Sequence, residues 1–399
     1  MTSPPPRPAL EHVERDPHAR SFFALTPDRI LDTVERQGLH PTGRCVALNS
    51  LENRVYDVEL EPDGGEAPVR LVMKFYRPGR WSRETILDEH RFLAELAAQG
   101  LPVVPPVDLA AGSLPAAQGA ASAVAPTASA PSLGGGALGT PVTLGETEGI
   151  FYAGFPRRRG RPPDELDDDT LRRLGRLLAS IHNVGARAGA PHRLSLDPQR
   201  ALVQSAEELA ARGLFPAGVE ARYLAAARAL AALAAPWLEG VSCIRLHGDC
   251  HLGNLLVGVD GIVFVDFDDM IVGPAVQDLW LATPGRDGEA LRQRDVLLDG
   301  YAELRAFDRS TLRLVEVLRA MRFVAYSAWV ARRWDDPSFP RAFPDFHTER
   351  YWVEELRMLE EQRDLVERLG RGEDGAPAGG EPEQDLGGAG GEDDPAWKL

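Results

Sequence analysis

Cysteine is scarce in this 399-residue chain: Cys45, Cys243 and Cys250 are the full set, too few for a disulfide framework and in keeping with a reducing compartment. Basic residues are outnumbered, 44 against 60 acidic, and the net charge of −16 argues against non-specific nucleic-acid binding. There is no run of about 18 apolar residues that could span a membrane. The opening MTSPPPRPALEHVERD lacks the positive and apolar regions of a secretory signal. These absences lead to the expectation of a cytoplasmic protein with neither a nucleic-acid nor a membrane partner. Two further absences are local. Between Leu109 and Gly145 there is no charged side chain, and Ala, Gly, Ser and Pro dominate, so residues 110–140 read as a flexible low-complexity insertion. Between Asp266 and Thr283 there is no Ser, Thr or Tyr, which leaves no room for a phosphorylatable activation loop.

What is present centres on Arg245 to Asp269, RLHGDCHLGNLLVGVDGIVFVDFDD. Two apolar, β-branched runs, Asn254 to Val259 and Ile262 to Val265, flank Asp260-Gly261, a pair suited to a type I′ hairpin turn. A turn centred there sets Leu255 opposite Asp266 and Asn254 opposite Phe267, with Asp249 on the loop just before. Oxygen-bearing side chains gathered at a hairpin mouth suit a hard cation and a phosphate. Asp-x4-Asn, then a hairpin, then Asp is also the spacing of the catalytic core of kinase-fold phosphotransferases. On that pattern Asp249 orients an acceptor hydroxyl and takes its proton, while Asn254 and Asp266 hold Mg²⁺ on the nucleotide phosphates. A polar-ended structural hairpin without chemistry is the plain alternative. A zinc site of Cys243, His247, Cys250 and His251 is opposed by the sharp turn at Gly248, which would splay the ligands.

In chain order, residues 1–20 read as a flexible leader, and Thr26 caps a helix running to about Gln37. Val46 to Leu60 and Val69 to Phe75 read as strands around the turn Pro62-Asp63-Gly64-Gly65. The phosphate-covering loop would be Asn49-Ser50-Leu51-Glu52-Asn53, which has no glycine; Ser50 is its candidate donor to phosphate. Lys74 ends the second strand, and Glu89, on the helix Ser82 to Gln99, is positioned to pair with it, with Glu84 and Asp88 as competitors. A strand lysine standing alone would be a solvated edge charge. Gly149 to Pro156 is an apolar strand whose backbone would bond adenine, followed by Arg157, Arg158, Arg159 and Arg161, either a solvated loop or a contact for an anion. Helices are expected from a cap at Asp169 to Asn183, over Ala221 to Leu233, Gly288 to Phe307, Ser310 to Trp334 and Thr348 to Leu369. Val241 to Leu246 is a buried strand, and Asp278 is expected to bond the catalytic-loop backbone. The tail, 371–399, has eight acids against two bases and reads as disordered. The division expected is a leader (1–20), an N-terminal lobe (21–153), a catalytic lobe (154–370) and the tail.

The stretches LNSLENRVYDV, VMKFYRPGRWS, LHGDCHLGNLL, VDFDD, GPAVQDLW, LRAMRFV and RRWDDPSFP together resemble the bacterial stress response kinase A family, within the aminoglycoside phosphotransferase-like superfamily. The resemblance runs from about Ser21 to Glu361 and leaves out the insertion and the tail. It implies an α+β, bilobal protein-kinase-like fold: an N-terminal antiparallel-sheet lobe and a mainly helical C-terminal lobe. It implies a monomeric, cytosolic Ser/Thr protein kinase protective under stress, using ATP with Mg²⁺ and acting on a protein hydroxyl, its own included. By the same resemblance Asp249 is the proton acceptor, Asn254 and Asp266 bind the metal, and Ser50 lies at the ATP site. Two rivals stand beside this expectation. One is a small-molecule kinase for an aminoglycoside, choline, homoserine or a sugar; the other is a pseudokinase scaffold.

Overall fold

The computed structural model describes residues 22–23, 25–62, 68–111, 141–259 and 261–373. The leader, the turn at Asp63 to Gly65, all but the first two residues of the insertion, and all but the first three of the tail lie outside the described residues. The chain divides into two compact units: residues up to Pro162 together with Leu255–Asp268, and Pro163–Asn254 together with Asp269 onward. The expected boundary after Ala153 falls inside a continuous strand, Ile150–Pro156, and the hairpin expected in the catalytic lobe counts with the first unit.

The first unit opens with α1, Pro27–Glu35, whose cap Thr26 accepts the Arg29 N–H at 3.4 Å. Its sheet contains β1 (Pro41–Ala47), β2 (Arg54–Leu60), β3 (Val69–Phe75), β4 (Gly145–Thr147) and β5 (Ile150–Pro156), in the antiparallel order β1-β2-β3-β5-β4. The single strand expected from Val46 to Leu60 is thus two, broken by the loop Leu48 to Asn53. Asn, Ser and Asp-like side chains that bond their own backbone end a ladder, and here Ser50 Oγ accepts the Asn53 N–H at 3.4 Å. Leu71, Met73 and Phe75 alternate onto one face of β3 and pack with Val58, Ile30 and Val34. Each such fully buried side chain contributes about 1.5–3 kcal/mol. The alternation puts Lys74 on the opposite face, toward α2 (Arg83–Ala98), which Ser82 caps through the Thr85 N–H at 3.2 Å.

In the hairpin, β7 (Leu255–Gly258) pairs with β8 (Gly261–Phe264) so that Leu255 faces Phe264 and Gly258 faces Gly261. The expected Leu255–Asp266 pairing does not form. The turn sits one residue earlier, and the partner shifts by two, which keeps every side chain on its intended face. Two features enforce this. The Phe264 N–H donates to Pro102 O at 2.8 Å, fixing β8 from outside the hairpin, and Asp266 takes a φ of +60°, which ends the strand.

The second unit is mainly helical. Asp167, two residues before the expected cap, accepts the Thr170 N–H at 2.8 Å and starts α3 (Asp168–Gly185). Then follow α4 (Ser205–Ala211), α5 (Glu220–Leu238), the antiparallel pair β6 (Cys243–Leu246) and β9 (Ile271–Pro274), α6 (Val276–Ala282), α7 (Gly288–Ala302), α8 (Val315–Arg332), α9 (Ser338–Ala342) and α10 (Glu349–Gly370). The short α4, α6 and α9 carry too few turns to show a helical period. α3 and α7 approach closely through glycines: a Cβ on Gly175 would lie 2.1 Å from Leu297 O, and one on Gly300 would lie 2.2 Å from Arg172 O. Buried Arg245 on β6 donates from Nη2 to Val184 O at 3.1 Å, tying the strand that feeds the catalytic loop to the end of α3. No helix among the described residues is long and apolar enough to cross a membrane.

Candidate active site

The candidate residues fall in both units, and each set is described within its own. In the first unit Lys74, only 7% exposed, extends from β3 to the residues that follow β8. Its Nζ lies 2.7 Å from Asp266 Oδ1 and 3.4 Å from Asp268 Oδ1. Burial by itself would favour the neutral amine, but Asp266, Asp268 and then Glu89 outweigh it and hold Lys74 charged, its pKa above the usual lysine value. Glu89, 1% exposed on α2, is among the charges acting on the lysine. Asp88, one of its competitors, pairs with Arg91 at 2.8 Å. Phe267, buried, packs edge-on to Phe92 of α2 with ring centres 6.0 Å apart, which anchors the turn carrying both carboxylates. Asp266 keeps a side chain 52% exposed.

The loop Asn49 to Asn53 is shaped by side chains. Arg77 donates from Nε to Glu52 O at 2.9 Å and from Nη2 to Leu51 O at 3.0 Å, and its own N–H goes to Asn53 Oδ1 at 3.2 Å. Ser50 turns its hydroxyl into this loop. In the basic run, Arg157 pairs with Asp57 at 3.1 Å, and Arg161 exchanges backbone bonds with Val257 of β7, while Arg158 and Arg159 are exposed.

In the second unit the loop after β6 carries Asp249. Gly248 is required there: its φ is +88°, and a Cβ would sit 2.1 Å from Asp269 O. As expected, Asp278 bonds this loop's backbone, its carboxylate accepting the His247 N–H and the Gly248 N–H, each at 2.9 Å. His182 meets the same carboxylate through Nε2 at 3.1 Å and the Tyr301 hydroxyl through Nδ1 at 2.9 Å. Gln277 donates to Gly248 O at 3.1 Å.

Asp249 is 3% exposed, and both its oxygens are engaged. Oδ1 accepts Arg322 Nη1 from α8 at 2.9 Å. Oδ2 lies 3.3 Å from His251 Nε2 and 3.3 Å from Asn254 Nδ2. The His251 tautomer follows from its neighbours: Nδ1 accepts the Gly253 N–H at 3.0 Å, so Nε2 carries the proton and donates to Asp249. Burial would raise the Asp249 pKa, but the Arg322 charge and the hydrogen bonds from His251 and Arg322 hold it well below the usual carboxylate range. A carboxylate held so firmly ionised can accept a hydrogen bond from a hydroxyl and align it for in-line attack. Asn254 spends its amide N–H on Asp249, at 2.9 Å to the backbone O, and among the described residues its Oδ1 accepts no hydrogen bond.

A donor-held Asp followed by Asn, and a strand lysine against a hairpin-mouth carboxylate, are residue types that phosphoryl transfer uses. A family described as "Phosphotransferase enzyme family" matches residues 45–315. The chain belongs to that family. Within it, stress response kinase A of Escherichia coli (strain K12) is 35% identical over 350 residues, 88% of this chain and 96% of the relative. The serine/threonine protein kinase RdoA of Salmonella typhimurium is 34% identical over the same shares. This phosphotransferase is therefore a kinase of the stress response kinase A type. Among solved structures, an amicoumacin kinase in complex with AMP-PNP and Ca²⁺ superposes with a TM-score of 0.58 at 16% identity, covering 88% of this chain and 96% of that one. A microcompartment-associated aminopropanol kinase gives 0.55 at 20% identity, covering 86% and 98%. Both share the bilobal kinase-like fold.

Of the residues anticipated from sequence, the structure joins Lys74 with Asp266 in the first unit and Asp249 with Asn254 in the second. It adds Asp268, whose Oδ2 accepts from Asn53 and Arg80, in the first, and His251 and Arg322 in the second. Asp268 was visible as the acid standing where protein kinases have Gly, and Arg322 lies in LRAMRFV. Neither had a period or a spacing that would mark it as part of a site.

Proposed function

We propose that this kinase transfers the γ-phosphoryl of ATP, with Mg²⁺, to a Ser or Thr hydroxyl of a protein in a stress response. Asp249 carries the reading. It is a buried, firmly ionised carboxylate with Asn254 as its neighbour. In this reading Asp249 orients the acceptor hydroxyl and receives its proton, Lys74 contacts the nucleotide phosphates with Glu89 behind it, and Ser50 belongs to the loop over them. The residues suit Mg²⁺: Asp266 offers an accessible carboxylate and Asn254 an amide oxygen, both hard ligands. Among the described residues no group of three or more His, Cys, Asp or Glu could hold a metal unaided, which fits a shell completed by phosphate oxygens. When bound, the ion supplies charge neutralisation on the transferring group. The Ser/Thr assignment is supported by the name of the Salmonella typhimurium relative. A reducing compartment such as the cytoplasm agrees with three free thiols.

The test is transfer from labelled ATP, with and without Mg²⁺, to the chain itself, a generic protein and a panel of small hydroxyl compounds, followed by phosphoamino-acid analysis. The expected result is Mg²⁺-dependent label on phosphoserine or phosphothreonine, reduced at least about 10²-fold in Asp249→Asn. Efficient labelling of one small compound, and never of protein, would replace the acceptor class.

A further inference from the structure

Asp268 occupies a position no assigned role accounts for. It is 2% exposed, and its Oδ2 accepts Arg80 Nη1 at 2.5 Å and Asn53 Nδ2 at 3.1 Å, while Oδ1 lies 3.4 Å from Lys74 Nζ. Through Asn53 it reaches the loop over the nucleotide. Asn53 Oδ1 takes the Arg77 N–H, Arg77 holds the carbonyls of Leu51 and Glu52, and the Asn53 N–H closes on Ser50 Oγ. Arg80 and Arg77 also flank the Glu52 carboxylate, at 3.6 and 3.4 Å.

Two physical consequences follow. A glycine-rich loop presents its amides to phosphate because glycine can adopt conformations closed to other residues. This loop has none, so its shape must come from side chains, and those side chains converge on Asp268. The second concerns Lys74, which faces two carboxylates of very different accessibility: Asp266 with a side chain 52% exposed and Asp268 with one 3% exposed. A carboxylate that turns to a metal gives up lone pairs to it, so the exposed partner is the one that leaves, and the buried one stays with the lysine.

We propose that Asp268 is the positioning residue of the nucleotide site, keeping Lys74 in place while Asp266 serves the metal and setting the Ser50 loop through Asn53. This rests on the phosphotransfer reading above and deepens it. One buried acid here joins the lysine, which Glu89 also acts on, to a loop that glycine-loop kinases shape with glycines.

The test uses the full chain with Asp268→Asn, Glu89→Gln and Asn53→Ala. Hydrogen exchange of residues 48–53 without nucleotide should speed up at least about tenfold in Asp268→Asn, the effect of losing charge-assisted bonds, and stay near wild type in Glu89→Gln. Binding of a fluorescent ATP analogue with Mg²⁺ should weaken about tenfold in Asp268→Asn and less than about threefold in Glu89→Gln. The Asn53→Ala/Asp268→Asn pair should exchange less than about threefold faster than Asp268→Asn alone, the remainder being the Arg77 N–H bond that Asn53 also accepts. Unchanged exchange and binding in Asp268→Asn, with the loss appearing in Glu89→Gln, would overturn the proposal. If Asp268→Asn does not fold, Asn53→Ala decides: faster loop exchange supports the role, and wild-type exchange overturns it. Failure of the unaltered protein to bind nucleotide would overturn the phosphotransfer reading instead, and the nucleotide-free exchange would still judge Asp268.

Discussion

In the first unit one ammonium, Lys74, faces two carboxylates, Asp266 and Asp268; in the second, one carboxylate, Asp249, faces donors from Arg322, His251 and Asn254. In the first arrangement Arg80 also holds the buried Asp268, and the exposed Asp266 has Lys74 as its partner among the described residues. It is suited to accepting a cation. The second has donors to spare, which holds the carboxylate ionised before reaction and fixes its direction. It is suited to aligning a hydroxyl repeatedly without itself moving. Buried charges cost free energy unless they are paired and hydrogen-bonded, and both clusters satisfy that condition by recruiting residues distant in sequence.

The comparison breaks most severely where the second cluster's support is removed. Asp278→Ala leaves the His247 and Gly248 amides buried without an acceptor and takes a partner from His182, so urea unfolding should show a loss of about 3–5 kcal/mol. A loss under about 1 kcal/mol would mean that water or another group replaces the carboxylate.

A milder change sharpens the contrast. Arg322→Gln removes the main charge holding Asp249 ionised while keeping a donor. The Asp249 pKa should rise toward the ordinary carboxylate range, moving the acid limb of the pH–rate profile to higher pH, with kcat lower by about tenfold. An acid limb that stays in place would show that His251 and Asn254 suffice.

The smallest effect concerns a third acid, away from both clusters. Glu355 on α10 hydrogen-bonds Ser327 at 3.0 Å, and burial pushes its pKa up to about 7. The folded state thus holds a proton that the unfolded chain releases near pH 4.5. This contribution to stability is full below that value and is lost as pH rises through about 7. Because the group remains partly open to solvent, Glu355→Gln should raise stability at pH 8 by only about 1 kcal/mol and flatten the dependence between pH 5 and 8. Thermal unfolding at pH 5 and pH 8 measures it, and an unchanged slope would remove Glu355 from the account.

Much of this architecture was legible in the sequence because it is local. Thr26 announces a helix start through a bond to the N–H three residues on, and that cap forms; Ser82 and Thr348, expected as first residues of their helices, stand as their caps. The alternation of Leu71, Met73 and Phe75 against Lys74 fixed the lysine's face. Asp278 was recognisable as backbone support for the catalytic loop. The failures are equally physical. The hairpin turn falls one residue earlier than Asp-Gly predicts: that pair is a strong local signal, whereas the bond from Phe264 to Pro102 that settles the register comes from a distant segment. The α3 cap was placed at Asp169 because Asp167, Asp168 and Asp169 are adjacent and equally able to cap.

By itself, then, the sequence determined the elements, the faces they present and the chemical types gathered around Asp249, Asn254 and Asp266, since these follow from periods and spacings a few residues long. Only the tertiary structure decided the partners. Asp268 with Asn53 and Arg80, and Arg322 with Asp249, lie 215, 188 and 73 residues apart. Which charge neutralises which depends on how strands and helices pack, and no local pattern encodes that.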